Sequence, residues 1–266
     1  MAPKPVTFTV FTKPWKMPLG DLGPFVKGLG FDGVELPVRP GFQVSPETVV
    51  RDLPAAARVL ADSGLCIASI AGPTDEPTLA ACAEAGVPVI RVCETIDADG
   101  YLASEARLLA KYERLVPLLE KHGVTLGIQN HCDRCVPHAL AVWRLVERFD
   151  PRHVAAVLDP AHCALDGEEE EMAIDIVWSH LAMVNLKNAV WRRTSPPGAP
   201  VAEWQKEWVP GREGLCSWPV VVTELKARGY SGPVCLTAEY SDEASVDRLI
   251  AQDIAFAKEL FAAGAG

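Results

Sequence analysis

The chain has 266 residues, of which 49% are hydrophobic and 23% are charged, and its net charge is −10 at pH 7. This composition is typical of a folded protein with a sizeable core, and the length suits one large α/β barrel. The acidic balance disfavours nucleic acid as a partner, since phosphate backbones need a basic surface. Without an apolar run of about 20 residues or an apolar leader, we expect no membrane role and a cytoplasmic location.

Short apolar runs alternate with amphipathic segments in the first part of the chain. In order, they predict a strand at 6–11, a helix at 21–29, a strand at 31–36, a helix at 45–63, a strand at 65–70, a helix at 76–85 and a strand at 87–93. Gly30, Gly64 and Gly86 lie at the ends of the three helices, where glycine is the preferred residue.

The same alternation continues to the end of the chain. It predicts a helix at 103–122, a strand at 124–128, a helix at 137–149, a strand at 154–159, a helix that opens in the acidic run 168–171, a strand at 181–186, a long loop over about 191–218, a helix at 220–228, a strand at 234–238 and a helix at 245–261. Strands and helices that alternate in this way imply a parallel sheet with right-handed crossovers.

Eight strand–helix units favour a closed (β/α)8 TIM barrel over an open, doubly wound sheet. No G-x-G-x-x-G follows the first strand and no G-x-x-x-x-G-K-[ST] occurs, so the nucleotide-binding folds lack their phosphate loop. No low-complexity linker divides the chain, and we expect residues 1–266 to form a single TIM-barrel domain.

The most informative stretch is the apolar run at 155–158, which ends in Asp159 and is followed by Pro160 and His162. In α/β folds, ligands bind beyond the carboxyl ends of the strands, at the end of the barrel that we call the mouth. A carboxylate and an imidazole at this point indicate a binding site. The alternative is that Asp159 only caps the following helix, as aspartate often does.

Polar side chains also follow the other predicted strands: Glu35, Glu94, Gln129, His131, Asn185, Lys187 and Glu239. Four polar residues at the ends of strands five to eight offer oxygen ligands, which suit Mg²⁺ or Mn²⁺; they are Gln129, Asp159, Asn185 and Glu239. Since only two of the four are charged, such a site binds metal more weakly than three carboxylates would. A hydrogen-bonded mouth without an ion is the alternative.

The segments around these residues resemble the sugar phosphate isomerase/epimerase family, whose fold is the xylose isomerase-like TIM barrel. They are 30–36, 127–131, 158–162, 184–188 and 238–240, and the resemblance spans nearly the whole chain. It implies a divalent metal, Mn²⁺ or Mg²⁺ first and Zn²⁺ as an alternative, bound at Gln129, Asp159, Asn185 and Glu239. It also implies that His162, in an Asp-x-x-His motif, contacts substrate hydroxyls, and that Arg192 or Arg193 binds substrate.

Two positions depart from the family pattern, because Gln129 stands in place of a glutamate and Asn185 in place of a histidine. Proton transfer in the keto-sugar epimerases of the family is attributed to two facing glutamates, and a glutamine cannot take a proton at neutral pH. We therefore expect Glu239 to be one catalytic base and His131 to replace its missing counterpart, with Glu94 or Lys187 as alternatives.

The function that follows is a divalent-metal-dependent isomerase or epimerase, or a related lyase, that acts on a sugar or keto-sugar-like polyol through an enediolate. The side chains expected to bind the substrate are His162, Lys187, Glu35, Glu94 and Arg192. For Glu35, an ion pair with Arg39 or Arg91 is an equally good interpretation.

Other interpretations are open at this point. A sugar-binding barrel that has lost catalysis is consistent with the amides Gln129 and Asn185. Endonuclease IV shares the barrel and the Asp-x-x-His motif, but it uses a zinc cluster with more ligands than this mouth offers. Barrels of the resembling family often pair, so a homodimer is also compatible with the sequence.

Two smaller motifs have more than one interpretation. Residues 131–138 read His-Cys-x-x-Cys-x-x-His, which suits zinc or a redox pair, although no second Cys-x-x-Cys completes a four-ligand site. Free thiols are expected at all eight cysteines. Four tryptophans in and beside the long loop are candidates for a lid, a sugar-stacking surface or an oligomer contact: Trp191, Trp204, Trp208 and Trp218.

Overall fold

A computed structural model describes residues 5–263. Eight strands in this range are parallel and close into a barrel: β1 (Thr7–Phe11), β2 (Gly33–Pro37), β3 (Cys66–Ala71), β4 (Val89–Val92), β5 (Thr125–Gln129), β6 (Val154–Leu158), β7 (Leu181–Leu186) and β10 (Pro233–Leu236). Strand β10 pairs with both β7 and β1, which closes the sheet. The predicted (β/α)8 TIM barrel is therefore confirmed.

Helices surround the barrel: α1 (Leu19–Gly28), α2 (Val49–Asp62), α3 (Glu76–Ala85), α4 (Tyr101–His122), α5 (Ala139–Val146), α6 (Pro160–Leu165), α7 (Glu170–Val177), α8 (Trp218–Ala227) and α9 (Val246–Ala262). In α2, the buried residues Leu53, Ala56 and Leu60 recur at helical spacing. Gly86 ends α3 in the left-handed backbone region, with φ 69°, as its position in the sequence predicts. None of the helices in the described part of the chain is long and apolar enough to cross a membrane.

A small apolar cluster lies inside the barrel, in contact with the buried polar side chains of Glu35 and Arg91. Phe11, Ala71, Val157, Met183 and Cys235 form a buried cluster separate from the core between strands and helices. Side chains alternate between the two faces of a strand, so residues two positions further along point inward as well. This alternation directs the side chains that follow Val157 and Met183 into the mouth.

The loop predicted over about 191–218 is partly wrong, because it contains a β-hairpin. Strands β8 (Asn188–Arg193) and β9 (Trp204–Val209) pair in antiparallel register from Asn188 opposite Val209 to Arg193 opposite Trp204. These strands lie outside the barrel sheet and are rich in charged and aromatic residues. They lack the apolar run that identified the barrel strands, which explains the wrong prediction.

Candidate active site

Asp159 is the buried centre of a polar network at the mouth. It precedes α6 as its N-cap residue, but its side chain makes no capping hydrogen bond, so the capping interpretation does not explain it. Its Oδ2 accepts a hydrogen bond from Nε2 of Gln129 at 2.8 Å and lies 3.4 Å from Nζ of Lys187. Burial raises the pKa of the Asp159 carboxyl, and the positive charge of Lys187 opposes that rise.

Lys187 joins Asp159 to the second carboxylate of the mouth, Glu239. Its Nζ lies 3.2 Å from Oε2 of Glu239, and its side chain is only 4% exposed. Burial alone would lower the pKa of Lys187, but Asp159 and Glu239 raise it above its ordinary value. Lys187 is therefore an ammonium at neutral pH, held between carboxylates from two strand ends.

Glu239 is the most accessible member of this group, with 24% of its side chain exposed. Its Oε1 accepts a hydrogen bond from Nζ of Lys13 at 2.7 Å. Burial opposes ionisation, but the charges of Lys187 and Lys13 prevail and lower the pKa of Glu239 to about 2. The residue before it, Ala238, has φ 52°, a left-handed conformation that is uncommon for alanine and occurs often near functional groups.

Gln129 connects this group to a buried ion pair on the other side of the mouth. Its Oε1 accepts a hydrogen bond from Nη1 of Arg91 at 2.7 Å. Arg91 also donates two hydrogen bonds to Glu35, at 2.7 and 2.9 Å. Of the two roles considered for Glu35, the ion pair is therefore present, with Arg91 as the partner. The role of Glu35 as a substrate ligand stays a prediction.

Two neutral imidazoles lie beside Asp159. Nδ1 of His162 accepts a hydrogen bond from the backbone N–H of Cys132 at 3.1 Å, so the ring proton belongs on Nε2, 3.5 Å from Oδ2 of Asp159. Nδ1 of His131 donates to the carbonyl of Cys132 at 2.9 Å, which leaves its Nε2 as the basic nitrogen. Burial lowers the pKa of both histidines, and their ring centroids are 4.1 Å apart.

Several buried polar atoms near the mouth have no hydrogen-bond partner within residues 5–263. They are Oδ1 of Asp159, Nε2 of His162, both side-chain amide atoms of Asn185 and Oγ1 of Thr237. A buried polar atom without a partner costs about 1–3 kcal/mol. Groups of this kind in one region are typical of a site that a polar ligand completes.

Trp208, on strand β9, closes one side of the mouth. Its ring centroid is 4.4 Å from Nζ of Lys187 and 5.4 Å from the ring of His162. A cavity of about 400 Å³ lies beside it, lined in part by Lys13, Glu239 and Tyr240. This cavity is large enough for a small ligand and leads to the exposed edge of Glu239.

The family model of the xylose isomerase-like TIM barrel matches residues 24–260. The chain belongs to this family. The resemblance of its strand-end segments to the sugar phosphate isomerases and epimerases is thereby confirmed at the level of the xylose isomerase-like barrel. No curated protein matches the chain in sequence.

Solved structures of xylose isomerase-like barrels superpose on the chain over almost its whole length. One is a D-psicose 3-epimerase determined in the presence of D-fructose, with TM-score 0.72, 15% identity and coverage of 97% of this chain and 100% of that one. A 3-keto-D-glucoside 4-epimerase from E. coli has TM-score 0.72 and 13% identity, covering 96% and 99%. A probable 3-DHS dehydratase from Bacillus anthracis has TM-score 0.75 and 13% identity, covering 95% and 99%. At these identities, the likeness establishes the fold.

The metal site implied by the family resemblance does not fit the side chains as they are arranged. A divalent ion needs oxygens that face one point, but Gln129 directs its NH₂ group toward Asp159 and its oxygen toward Arg91. The point between the two carboxylates is taken by Nζ of Lys187. Of the two amides in the predicted ligand set, only Asn185 has side-chain atoms without a hydrogen-bond partner among the described residues. The prediction that these four residues bind Mn²⁺ or Mg²⁺ therefore has no support from their geometry.

A second group of metal-ligating atoms lies next to this network. Among the described residues, the ligand atoms of His131, Cys132 and His162 fall within 4.8 Å of one another. These three atoms are one fewer than the four ligands of a structural zinc site. Cys135 is not part of this group, and His138 caps α5 by accepting from the N–H of Ala141. The zinc interpretation of the full 131–138 motif is thus not supported.

Two residues predicted to bind substrate lie apart from the network. Glu94 accepts hydrogen bonds from Lys111 at 2.7 Å and from the hydroxyl of Tyr112 at 3.1 Å, both on helix α4. Arg192 lies on strand β8 with 63% of its side chain exposed and is paired with Glu207. The structure brings neither of them to Asp159 or Glu239.

The sequence reasoning missed two functional candidates, Lys13 and Arg91 as a partner of Gln129, and it did not single out Trp208 among the four tryptophans. Lys13 is the second residue after β1 and Lys187 the first after β7, so closeness to a strand end could have identified Lys13 as well. The other tryptophans lie elsewhere, since Trp218 is buried against Phe256, and Trp191 and Trp204 are exposed on the hairpin.

Proposed function

We propose that the protein is an enzyme that moves a proton on the carbon next to a carbonyl group of a small sugar or polyol, as an isomerase, an epimerase or a related lyase. The observation that supports this most is the pairing of Glu239 with Lys187 at 3.2 Å, next to a cavity. It brings an ionised carboxylate and a fixed positive charge to one place. The structural relatives named as sugar epimerases and as a dehydratase support the same class of chemistry.

In this proposal, Glu239 removes the proton and Lys187 stabilises the enediolate oxygen that results. A carboxylate with a pKa of about 2 is a weak base. The neighbouring ammonium compensates, because it makes the substrate carbon more acidic. The protonated Glu239 then returns this proton to the enediolate. His131, whose Nε2 carries no proton, is the second group that can take one, in place of the carboxylate that Gln129 lacks.

Two further side chains position the substrate. His162 offers a buried Nε2–H that has no partner within the described part of the chain, and it is suited to donate to a hydroxyl. Trp208 offers an aromatic face at the edge of the cavity, against which the apolar face of a sugar ring can pack. No step of this mechanism uses a divalent ion, because the predicted oxygen ligands do not converge.

A sugar-binding barrel without catalysis is the second candidate. Gln129 favours it, since its NH₂ group donates to Asp159 and it cannot exchange a proton at neutral pH. Under this alternative, the mouth binds a sugar but leaves its carbon-bound hydrogens in place.

Deuterium exchange distinguishes these functions and tests Glu239. A panel of keto-sugars is incubated with the protein in D₂O, and loss of the proton next to the carbonyl is followed by NMR. We expect wild-type exchange on at least one sugar and a loss of about 100-fold or more in Glu239→Gln, the scale for removing a general base.

The matched control is Glu259→Gln, a surface glutamate with 69% exposure that is paired with Arg212. It should exchange at the wild-type rate. Sugar binding by calorimetry with no exchange in the wild-type protein would contradict the proposal and favour the binding alternative.

A further inference from the structure

We infer that the ammonium of Lys187 takes the place of a divalent cation at this mouth, so that the site works without a metal ion. The inference rests on the proposed function only for the catalytic role of this charge. The exclusion of divalent ions rests on the arrangement of the side chains and is measured separately.

The position of Nζ is the first support. It lies 3.4 Å from Oδ2 of Asp159 and 3.2 Å from Oε2 of Glu239, the two charged members of the predicted ligand set. Lys187 is nearly fully buried, and a cation bound by the same two oxygens would be in contact with its ammonium. Two positive charges in contact in a buried site repel strongly.

The orientation of Gln129 is the second support. Its oxygen faces the guanidinium of Arg91 and its NH₂ group faces the carboxylate of Asp159. Turning the amide so that its oxygen becomes a metal ligand would place NH₂ against the guanidinium and oxygen against the carboxylate. The first contact would be repulsive and the second would remove the hydrogen bond to Asp159, so Gln129 is held as a donor to Asp159.

The charge balance of the network is the third support. Its buried carboxylates Glu35 and Asp159, together with Glu239, face three cations: Arg91, Lys187 and Lys13. The charges are already matched, and a divalent ion would leave two positive charges uncompensated in a region of low exposure.

Trp208 holds the ammonium in this position. Its ring lies 4.4 Å from Nζ, within the range of a cation–π interaction, and the ring also packs edge-on against His162. The lysine is therefore surrounded by two carboxylates and an aromatic ring, and swinging it out to admit an ion would lose all three contacts.

Manganese titration followed by electron paramagnetic resonance tests the inference, because bound Mn²⁺ loses the sharp signal of the free ion. We expect the full-length wild-type protein to leave added Mn²⁺ free and Lys187→Met to bind it at least about 100-fold more tightly, since a buried positive charge is removed. Lys187→Gln, which keeps a polar side chain, serves the same purpose if the methionine variant does not fold.

The control is Lys121→Met, at a surface lysine that is 61% exposed, pairs with Glu76 and contacts neither Asp159 nor Glu239. It should stay close to wild type. One equivalent of Mn²⁺ bound by the wild-type protein, or no gain in a folded Lys187 variant, overturns the inference. Neither result depends on turnover, so a protein that excludes Mn²⁺ but exchanges no proton would refute only the proposed function.

Discussion

Asp253 is a buried carboxyl of helix α9 that takes no part in the proposed chemistry. Its Oδ1 accepts from the backbone N–H of Gly211 at 2.9 Å, and its Oδ2 accepts from the hydroxyl of Tyr240 at 2.8 Å. Burial raises the pKa of Asp253 from 3.8 to about 6, because the two hydrogen bonds offset only part of the cost of burying the charge.

This shift predicts a pH dependence of stability. A folded-state pKa above the unfolded one means that the folded protein holds the proton more tightly. The stabilisation is complete below about pH 4 and is lost as the pH rises through 6, by about 3 kcal/mol at most. Urea unfolding between pH 4 and 7 should therefore show a shallower loss of stability in Asp253→Asn than in the wild-type protein.

The control for this measurement is Asp175→Asn, at an aspartate with 71% exposure. It should keep the wild-type slope. Parallel curves for the wild-type protein and Asp253→Asn would show that this carboxyl does not titrate as described.

For the residues of the mouth, strand-end position was enough to predict that Asp159, Lys187 and Glu239 meet. Period-two alternation and the stop at Pro160 are local properties that the sequence displays. The direction of the Gln129 amide was not predictable, because Arg91 sets it from another strand. The same holds for the place of Lys187 between two carboxylates, which depends on the packing of Trp208 from strand β9 of the hairpin.

The hairpin of β8 and β9 is the element that shapes the mouth. Lys206 lies 3.0 Å from Sγ of Cys132 and pairs with Asp133, and Trp208 exchanges two hydrogen bonds with Ser241. These contacts attach the hairpin to the loops after β5 and β10, so it is a fixed wall of the site. The Trp- and Pro-rich composition of this segment predicted a loop, because its strands carry no apolar run.

Trp208 belongs to this element and gives a prediction of its own. Trp208→Ala should weaken binding of the sugar that exchanges fastest by about 2- to 12-fold, the scale of a lost aromatic contact of 0.5–1.5 kcal/mol. Isothermal titration calorimetry measures this directly. Trp204→Ala, at the far end of the same strand and 57% exposed, is the control and should bind as the wild-type protein does. Equal affinities for the three proteins would remove Trp208 from the site.

On the scale of the whole molecule, closure of the barrel brings the ends of β5, β6, β7 and β10 to one mouth. Eightfold alternation of strands and helices is a strong pattern, which is why the barrel was predictable from sequence. The reaction was not, since this fold hosts different chemistries that depend on a few side chains. A single domain over 1–266 and a homodimer both stay predictions.

The most direct test of a mouth that works without a metal ion is a structure from crystals grown with Mn²⁺ and a keto-sugar, with anomalous data collected at the manganese edge. We expect no anomalous peak between Asp159 and Glu239, with Nζ of Lys187 between their oxygens and a sugar oxygen in contact with it. A manganese peak bound by both carboxylates, with Lys187 turned away, would contradict this expectation.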